Sequence, residues 1–135
     1  MRVTALKTKI VELLEAILPV DTPIFESTRV DKDITTSAYP IVTYTLDTTR
    51  EGTTDSKEGL LIPLSIEIQD YDTEKDPTVI DDLVEDIDDA LNRLDVIEDD
   101  YYIEFIRTSI GVTLPVDDEY SFRRENNYLL KYNEK

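Results

Sequence analysis

Six acidic side chains occur within residues 81–89, and carboxylates in pairs are able to act as general acid and general base, as they do in glycosidases. Catalytic carboxylates lie in pockets that perturb their pKa values. These six instead fall opposite the apolar stripe of a predicted helix, on the side that faces solvent. The spacing therefore predicts a solvated acidic surface, formed by Asp81, Asp82, Glu85, Asp86, Asp88 and Asp89.

A second group of acids alternates from Asp70 to Asp76 and matches the start of a calcium-binding loop. Such a loop needs glycine at its sixth position, for a sharp turn, and glutamate at its twelfth. Lys75 and Asp81 occupy these two positions. Because the ligand pattern fails at both, we expect no metal site and interpret the acids as a polar stretch before a helix.

The composition excludes several kinds of chemistry. The chain has no histidine and no cysteine, so it lacks the commonest general base, the commonest transition-metal ligand and every thiolate nucleophile. Its three glycines form no glycine-rich phosphate loop. We therefore predict that the protein is not an enzyme and that it uses no cofactor.

The charge balance limits the partners. Fourteen basic residues against 31 acidic ones give a net charge of −17. Proteins that bind nucleic-acid backbones or anionic membranes do so with lysine and arginine, so we expect neither to be bound here. The sequence has no signal-peptide core and no apolar run of about 20 residues, the length that a membrane span needs. We therefore expect folding in a cytoplasm.

Two amphipathic helices are predicted from the apolar spacing of the chain, whose 135 residues have the usual size of one domain. The first helix covers Leu6 to Leu18 and is ended by Pro19. The second begins at Asp76, whose side chain is expected to cap the helix, with Pro77 in the first helical position. Its apolar stripe runs to Leu94.

Strands are predicted between and after the helices. A short one is expected within 23–30, and β-branched and aromatic residues mark four more, at 39–46, 60–69, 101–114 and 120–132. Pro63 cannot donate to a ladder, which indicates a sheet edge or a bulge, and an open edge is a site for association. The order α-β-β-β-α-β-β predicts an α+β fold with a mainly antiparallel sheet of four to five strands.

A long polar loop, at about 48–59, separates two of these strands. Hairpin loops usually have about 2–5 residues, so the extra length needs a reason. It is interpreted either as a mobile surface loop or as an arm that becomes ordered against a neighbouring subunit. On the second interpretation the interface residues are Arg50, Glu51, Gly52, Thr53, Lys57, Glu58 and, on the adjoining strand, Pro63.

The layout resembles that of the tail terminator, or tail completion, proteins of long-tailed bacteriophages. An amphipathic helix precedes a YPIVTY strand (39–44), a long polar loop and an LSIEIQDY strand (64–71). A helix that ends in IDDALNRL (87–94) and two closing strands complete the order. The resemblance covers nearly the whole chain and rests on the order, the size and the amino-acid sequences of these elements.

The resemblance implies a small α+β subunit with two helices packed on one face of the sheet. Such subunits form a hexameric ring that caps the tail tube and joins it to the head connector, and they have no catalytic residues. The partners would be further copies of this chain, the tail tube protein and the head connector protein. The location would be the head–tail junction of the virion, after assembly in the host bacterial cytoplasm. The acidic charge would let DNA pass without specific binding.

Three alternatives remain open on the sequence. A head–tail connector or other neck component differs from a tail terminator only in its partner. An acidic DNA-mimic inhibitor would use the 81–89 carboxylates to imitate phosphates and occupy the basic site of a DNA-binding enzyme. An enzyme of another kind would require a deep pocket in which carboxylates or tyrosines converge.

Overall fold

The computed structural model describes residues 3–26, 40–47, 60–71, 76–115 and 121–134. Within these ranges the chain forms two helices and seven strands. The helices are α1 (Val3–Ile17) and α2 (Thr78–Leu91). The strands are β1 (Ile24–Glu26), β2 (Ile41–Leu46), β3 (Leu60–Tyr71), β4 (Asp95–Ile97), β5 (Tyr101–Ile110), β6 (Leu114–Pro115) and β7 (Ser121–Glu134).

The described strands belong to one mixed sheet. Six of them follow the order β1-β2-β3-β7-β5-β4, and β6 also pairs with β7. β1 and β2 are parallel, whereas the other pairs are antiparallel. The long strands β3 and β7 form the centre, with Leu60 opposite Tyr132 at one end and Tyr71 opposite Ser121 at the other.

The two helices and the inner face of the sheet share one apolar core. Residues two apart on a strand, or three and four apart on a helix, lie on the same face. Burying each large apolar side chain stabilises the fold by about 1.5–3 kcal/mol. The core includes Leu6, Ile10 and Leu14 of α1, Ile80, Val84, Ile87 and Leu91 of α2, and Ile62, Leu64, Ile66, Ile68, Ile103, Phe105, Tyr128 and Leu130 of the sheet.

The α+β class is confirmed, but the sheet is larger than the predicted four to five strands and is mixed. β4 and β6 have three and two residues, and the sequence predicts no separate strand for either of them. Strands this short are too brief to show an alternating pattern. They are strands because they pair with β5 and β7. The parallel pairing of β1, with Ile24 opposite Val42, is a tertiary outcome of the same kind.

The prediction of a sheet edge at Pro63 is wrong. β3 lies inside the sheet, between β2 and β7. The Asp47 N–H donates to the Pro63 carbonyl oxygen at 2.9 Å, one position beyond the last β2 pair, Leu46 opposite Leu64. A hydrogen-bonded antiparallel pair exchanges two bonds, and proline supplies only the acceptor. Pro63 therefore lies where the β2 ladder ends, rather than on an open edge.

The start of α2 lies one residue later than predicted, because Pro77 rather than Asp76 is the N-cap and has no side-chain cap bond. Asp76 Oδ1 accepts a hydrogen bond from the Thr78 backbone N–H at 3.0 Å and another from the Thr78 hydroxyl at 2.5 Å. The Pro77 carbonyl already accepts from the Asp81 N–H at 3.0 Å, as in a first helical turn. The Thr78 hydroxyl and then its amide lower the pKa of the Asp76 carboxyl, because both bonds favour the charged form.

Replacing Thr78 by valine is expected to raise the pKa of Asp76 toward its ordinary value, because the hydroxyl bond is lost and the amide bond stays. A lowered folded-state pKa contributes stability that is present above the unfolded-state pKa and is lost as the pH falls through the folded one. An NMR titration of the Asp76 carboxyl carbon measures the change. Thr8→Val, which removes an exposed hydroxyl bonded within α1, is the control. The same Asp76 pKa in all three proteins would contradict the bond between the Thr78 hydroxyl and Asp76.

Candidate docking surface

The sheet face that points away from the core, called here the outer face, is not covered by either described helix. Its side chains come from alternate positions of β2, β3, β7 and β5, and they line up in rows across the strands because paired residues share a face. One row is polar and the next is apolar. The polar row is Thr45, Ser65, Asn127 and Ser109, and the apolar row is Pro63, Leu129 and Ile106.

The polar row is joined by its own hydrogen bonds. The Ser65 hydroxyl donates to Asn127 Oδ1 at 2.7 Å, and Asn127 Nδ2 donates to the Ser109 hydroxyl at 3.0 Å. These bonds tie β3, β7 and β5 together on the outer face. The row is therefore a rigid, hydrogen-bonded strip beside the apolar row.

The apolar row is partly exposed, because Ile106 is exposed whereas Pro63 and Leu129 are half-buried. Ile106 is 41% accessible, and Leu61, two positions before Pro63 on the same face, is 42% accessible. Single exposed aliphatic side chains are ordinary in folded proteins, whereas a contiguous apolar group marks a surface that binds another molecule. Pro63, Leu129, Ile106 and Leu61 form such a group across three strands. It is the docking surface that the described residues supply.

An acidic row lies on the other side of the polar row. Thr43, Glu67 and Glu125 are in register across β2, β3 and β7. Gln69 Nε2 donates to Glu67 Oε1 at 2.7 Å. These side chains belong to a pocket of about 290 Å³ on the outer face, which is lined by Ile41, Thr43, Thr45, Ser65, Glu67, Gln69 and Glu125.

The predicted acidic surface of α2 is present, but it is smaller than expected. Asp82, Glu85, Asp86 and Asp89 are exposed. Asp88 is only 8% accessible and Asp81 is half-buried, so the prediction of a solvated position is wrong for Asp88 and only partly right for Asp81. The two are seven residues apart, which is about two helical turns, and they lie on the flank of α2 that faces β5 and β7.

Asp88 is the centre of a buried polar network. Its Oδ2 accepts a hydrogen bond from Arg107 Nη1 at 2.6 Å, and its Oδ1 accepts one from the Tyr128 hydroxyl at 3.0 Å. Arg107 comes directly before the β-bulge of β5, where the strand changes register. The network therefore joins α2 to β5 and β7 at the point where β5 is irregular.

Tyr128 and Asn126 complete this network on β7. Burial raises the pKa of the Tyr128 hydroxyl, because the phenolate would lose its hydration, so the group stays protonated and donates to Asp88. Asn126 Nδ2 donates to the Tyr128 oxygen at 3.4 Å, while Asn126 Oδ1 is buried without a partner among the described residues. The arrangement holds a proton donor in place and offers no exposed reactive group.

Asp81 makes a second polar connection to the sheet. It accepts from the Thr113 hydroxyl and, at 3.1 Å, from Arg124 Nη1, while Arg124 Nε donates to the Gly111 carbonyl at 2.8 Å. Gly111 approaches β7 so closely that an added Cβ would lie 2.5 Å from the Glu125 carbonyl oxygen. This close approach requires glycine, and it brings Thr113 within reach of α2.

Of the seven residues predicted to form an interface, only Pro63 lies in the described part of the chain, where it is half-buried in the apolar row. Arg50, Glu51, Gly52, Thr53, Lys57 and Glu58, like the rest of the 48–59 loop, lie outside the described residues.

The sequence interpretation missed Leu61, Leu129 and Ile106. A signal for them was present, because each breaks the polar–apolar alternation of its strand: Leu61 stands between Leu60 and Ile62, Leu129 between Tyr128 and Leu130, and Ile106 next to Phe105. An apolar residue in the wrong phase of a half-buried strand indicates that the second face is apolar at that point.

Comparison with known proteins assigns no family. No protein-family model matches the chain, and no curated protein matches it significantly. In the described ranges, neither helix has the length and apolar character that crossing a membrane requires.

Replacing Asp88 by asparagine is expected to lower the free energy of unfolding by about 1–3 kcal/mol, since the amide removes the charge next to Arg107. The loss is limited because Arg107 is partly exposed. Asp89→Asn changes the net charge equally at an exposed neighbouring position and should stay within about 0.5 kcal/mol of the parent protein. Urea unfolding followed by circular dichroism measures both. Equal effects of the two substitutions would contradict the role of Asp88.

Proposed function

We propose that the protein is a ring-forming structural subunit of a bacteriophage tail, a tail terminator that caps the tail tube and joins it to the head connector. It would act at the head–tail junction of the virion as a hexamer of identical subunits, without catalysis. The resemblance in element order, in size and in the sequences of the strands supports this proposal, and so does the docking surface described above.

The observation that carries the proposal is the apolar row, with Ile106 and the adjoining Leu61 exposed, on a sheet face that no described helix covers. The interior of this subunit is already filled by both helices, so Pro63, Leu129 and Ile106 contribute nothing to its core. Their burial against another protein would remove apolar surface from water, which is the main favourable term in association. A subunit that assembles with other proteins would bury such a row in its contacts.

The distribution of charge fits the same role. The four exposed acids of α2 belong to a chain of net charge −17. Like charge discourages nucleic acid from adhering to a surface, which suits a ring through which DNA must pass. A neck component or connector would use the same features, and it differs only in the protein that it contacts.

One observation favours a second function, that of an acidic DNA mimic. Asp82, Glu85, Asp86 and Asp89 form a continuous exposed stripe along α2, and regularly spaced carboxylates are able to imitate phosphates. This function predicts tight, salt-sensitive binding to a basic DNA-binding enzyme and no ring. A solvated acidic stripe is also the ordinary outer side of an amphipathic helix, so the apolar row is the stronger indication.

The mass of the purified protein in solution tests the ring. Light scattering or native mass spectrometry over a concentration series is expected to give a discrete hexamer, or a monomer that converts to one as the concentration rises. A protein that stays monomeric at every concentration, also with tail tube protein added, contradicts the proposal and favours the DNA mimic.

Replacing Ile106 by threonine is expected to raise the concentration at the midpoint of assembly by roughly tenfold, because an apolar contact in the interface is lost. Ile110→Thr is the matched control. Ile110 lies on the same strand and is equally exposed, at 40%, but its register partner Asn126 places it on the inner side of the sheet. The concentration series measures both variants. A larger effect at Ile110 than at Ile106 would show that the outer face is not the contact surface.

A further inference from the structure

The edge of β5 is open beyond the part that β4 covers. β4 pairs with residues 102–104 of β5, and the backbone N–H and C=O of Phe105 bond to residues 94 and 93. From Ile106 to Ile110 no described residue pairs with this side of the strand, and all the residues of this segment are exposed. An open edge of this kind is a template for another strand.

Backbone groups of Arg107 and Ile110 point to this open side. In an antiparallel ladder, alternate residues direct their N–H and C=O groups to opposite sides, so Arg107 matches Phe105, two positions before it. The Gly111 N–H donates to the Glu125 carbonyl of β7 at 2.8 Å, so the groups of Ile110 point away from β7. The open edge therefore offers hydrogen bonds at two positions. The β-bulge between them limits this edge to a short partner strand.

The opposite end of the sheet is a second open edge. Among the described strands, β1 pairs with β2 alone. The Val42 N–H donates to the Pro23 carbonyl at 2.9 Å, so the N–H and C=O of Ile24, the next residue, point away from β2. No described residue bonds to them on that side. β1 has three residues, which is a length that the interrupted edge of β5 can accept.

A pocket of about 340 Å³ lies beside the β1 edge. Its lining residues are Glu15, Leu18, Pro19, Val20, Asp21, Thr22 and Ile24. Val20 is 90% accessible, and its turn is fixed because the Thr22 N–H and hydroxyl both donate to the Pro19 carbonyl, at 3.2 and 2.7 Å. The other end of the sheet carries the exposed side chains of Ile97 and Ile106. Such aliphatic side chains match the apolar part of this pocket wall.

We propose that the β5 edge of one copy pairs with the β1 edge of the next copy, so that the sheet continues from subunit to subunit. A ring of more than two identical subunits needs two different surfaces on each subunit, which meet head to tail. The two edges are different surfaces at opposite ends of one sheet. The apolar row also ends on β5, at Ile106, so a neighbouring copy at this edge would lie against that row. The inference rests on the proposed function, since it names the contact through which the ring forms.

Cross-linking of engineered cysteines tests this contact, since the chain has no cysteine of its own. The double variant Val20→Cys with Thr108→Cys carries one thiol at each edge. Both positions are exposed, and Thr108 is the bulge residue without a register partner. With a short bismaleimide linker, we expect a ladder of covalent oligomers on a denaturing gel, up to the full ring. Each single variant should stay unlinked, because a head-to-tail contact does not bring two equivalent positions together.

The control combines Val79→Cys with Thr108→Cys. Val79 is exposed but lies on α2 rather than at a sheet edge, so this pair should give no ladder. An equal ladder from the control would show random collision and would overturn the proposal. Dimers from Thr108→Cys alone would overturn it as well, because they would show that two β5 edges pair with each other.

The substitution Ile110→Pro separates pairing through the backbone from contact through the side chain. Proline removes the outward N–H and is tolerated where that N–H faces away from the neighbouring strand, so the subunit should still fold, which circular dichroism checks. We expect the midpoint concentration of assembly to rise roughly tenfold, whereas Ile110→Thr keeps the N–H and should stay near the parent protein. Equal midpoints for the two variants would contradict strand pairing. If proline prevents folding, the cysteine ladder decides the question alone.

The edge pairing and the proposed function fail in different ways. If the parent protein forms a discrete ring but the double variant gives no ladder, the edge pairing fails and the ring stands. If the double variant gives a ladder while the parent protein forms open chains of varying length instead of a hexamer, the edge pairing stands and the ring fails. A monomeric parent protein without a ladder contradicts both.

Discussion

The pairing of β3 with β7 is the constraint on which the rest of this structure depends. The two strands are far apart in the sequence, yet they form the centre of the sheet and are paired from Leu60 to Tyr71. Because side chains alternate with a period of two, a slip of one residue would turn every inner side chain outward. The register that sets Leu64 opposite Tyr128 therefore decides the core and the outer face together. β2 and β5 then attach to the free sides of this central pair.

Polar contacts decide how α2 lies on that sheet. The apolar stripe of the helix could pack on the core over a range of rotations, since hydrophobic burial has no preferred direction. Asp81 and Asp88 bond to groups on β7 and β5 and restrict this freedom. Removing Arg107 would leave the largely buried Asp88 without its charged partner. The bulge of β5 lies directly after Arg107, so the same contact also fixes the irregular part of the strand.

The register that buries the inner face also decides which side chains lie on the outer face. Once the apolar residues of β3 and β7 are buried under the helices, the residues between them lie on the outer face, half-buried or exposed, and their types form an acidic row, a polar row and an apolar row. The polar row satisfies its own hydrogen bonds. Ile106 and Leu61 remain exposed on this face, and the proposed assembly would bury them.

The sequence by itself determined the elements that carry a long repeating pattern. The amphipathic spacing of α1 and α2 and the alternation along β3 and β7 depend on neighbours a few residues away, and both were predictable from residue types. The start of α2 was predicted to within one residue. The class of fold followed from their order. The docking surface was only partly predictable. Leu61, Leu129 and Ile106 interrupt the alternation of their strands, but the sequence does not show that they lie next to one another. The resemblance to tail terminators remains a prediction, which element order supports.

Only the tertiary structure decided what depends on residues distant in the sequence. β1, β4 and β6 are too short to have a pattern, and they are strands because a longer neighbour pairs with them. The sequence favours a sheet edge at Pro63, because proline has no backbone N–H to donate. Whether the residue lies at an edge or at the end of a ladder depends on where β2 ends. The sequence predicts a solvated side chain for Asp88, because this residue lies among other acids. It is buried because Arg107 and Tyr128, 19 and 40 residues further on, supply donors that make burial of a carboxylate tolerable.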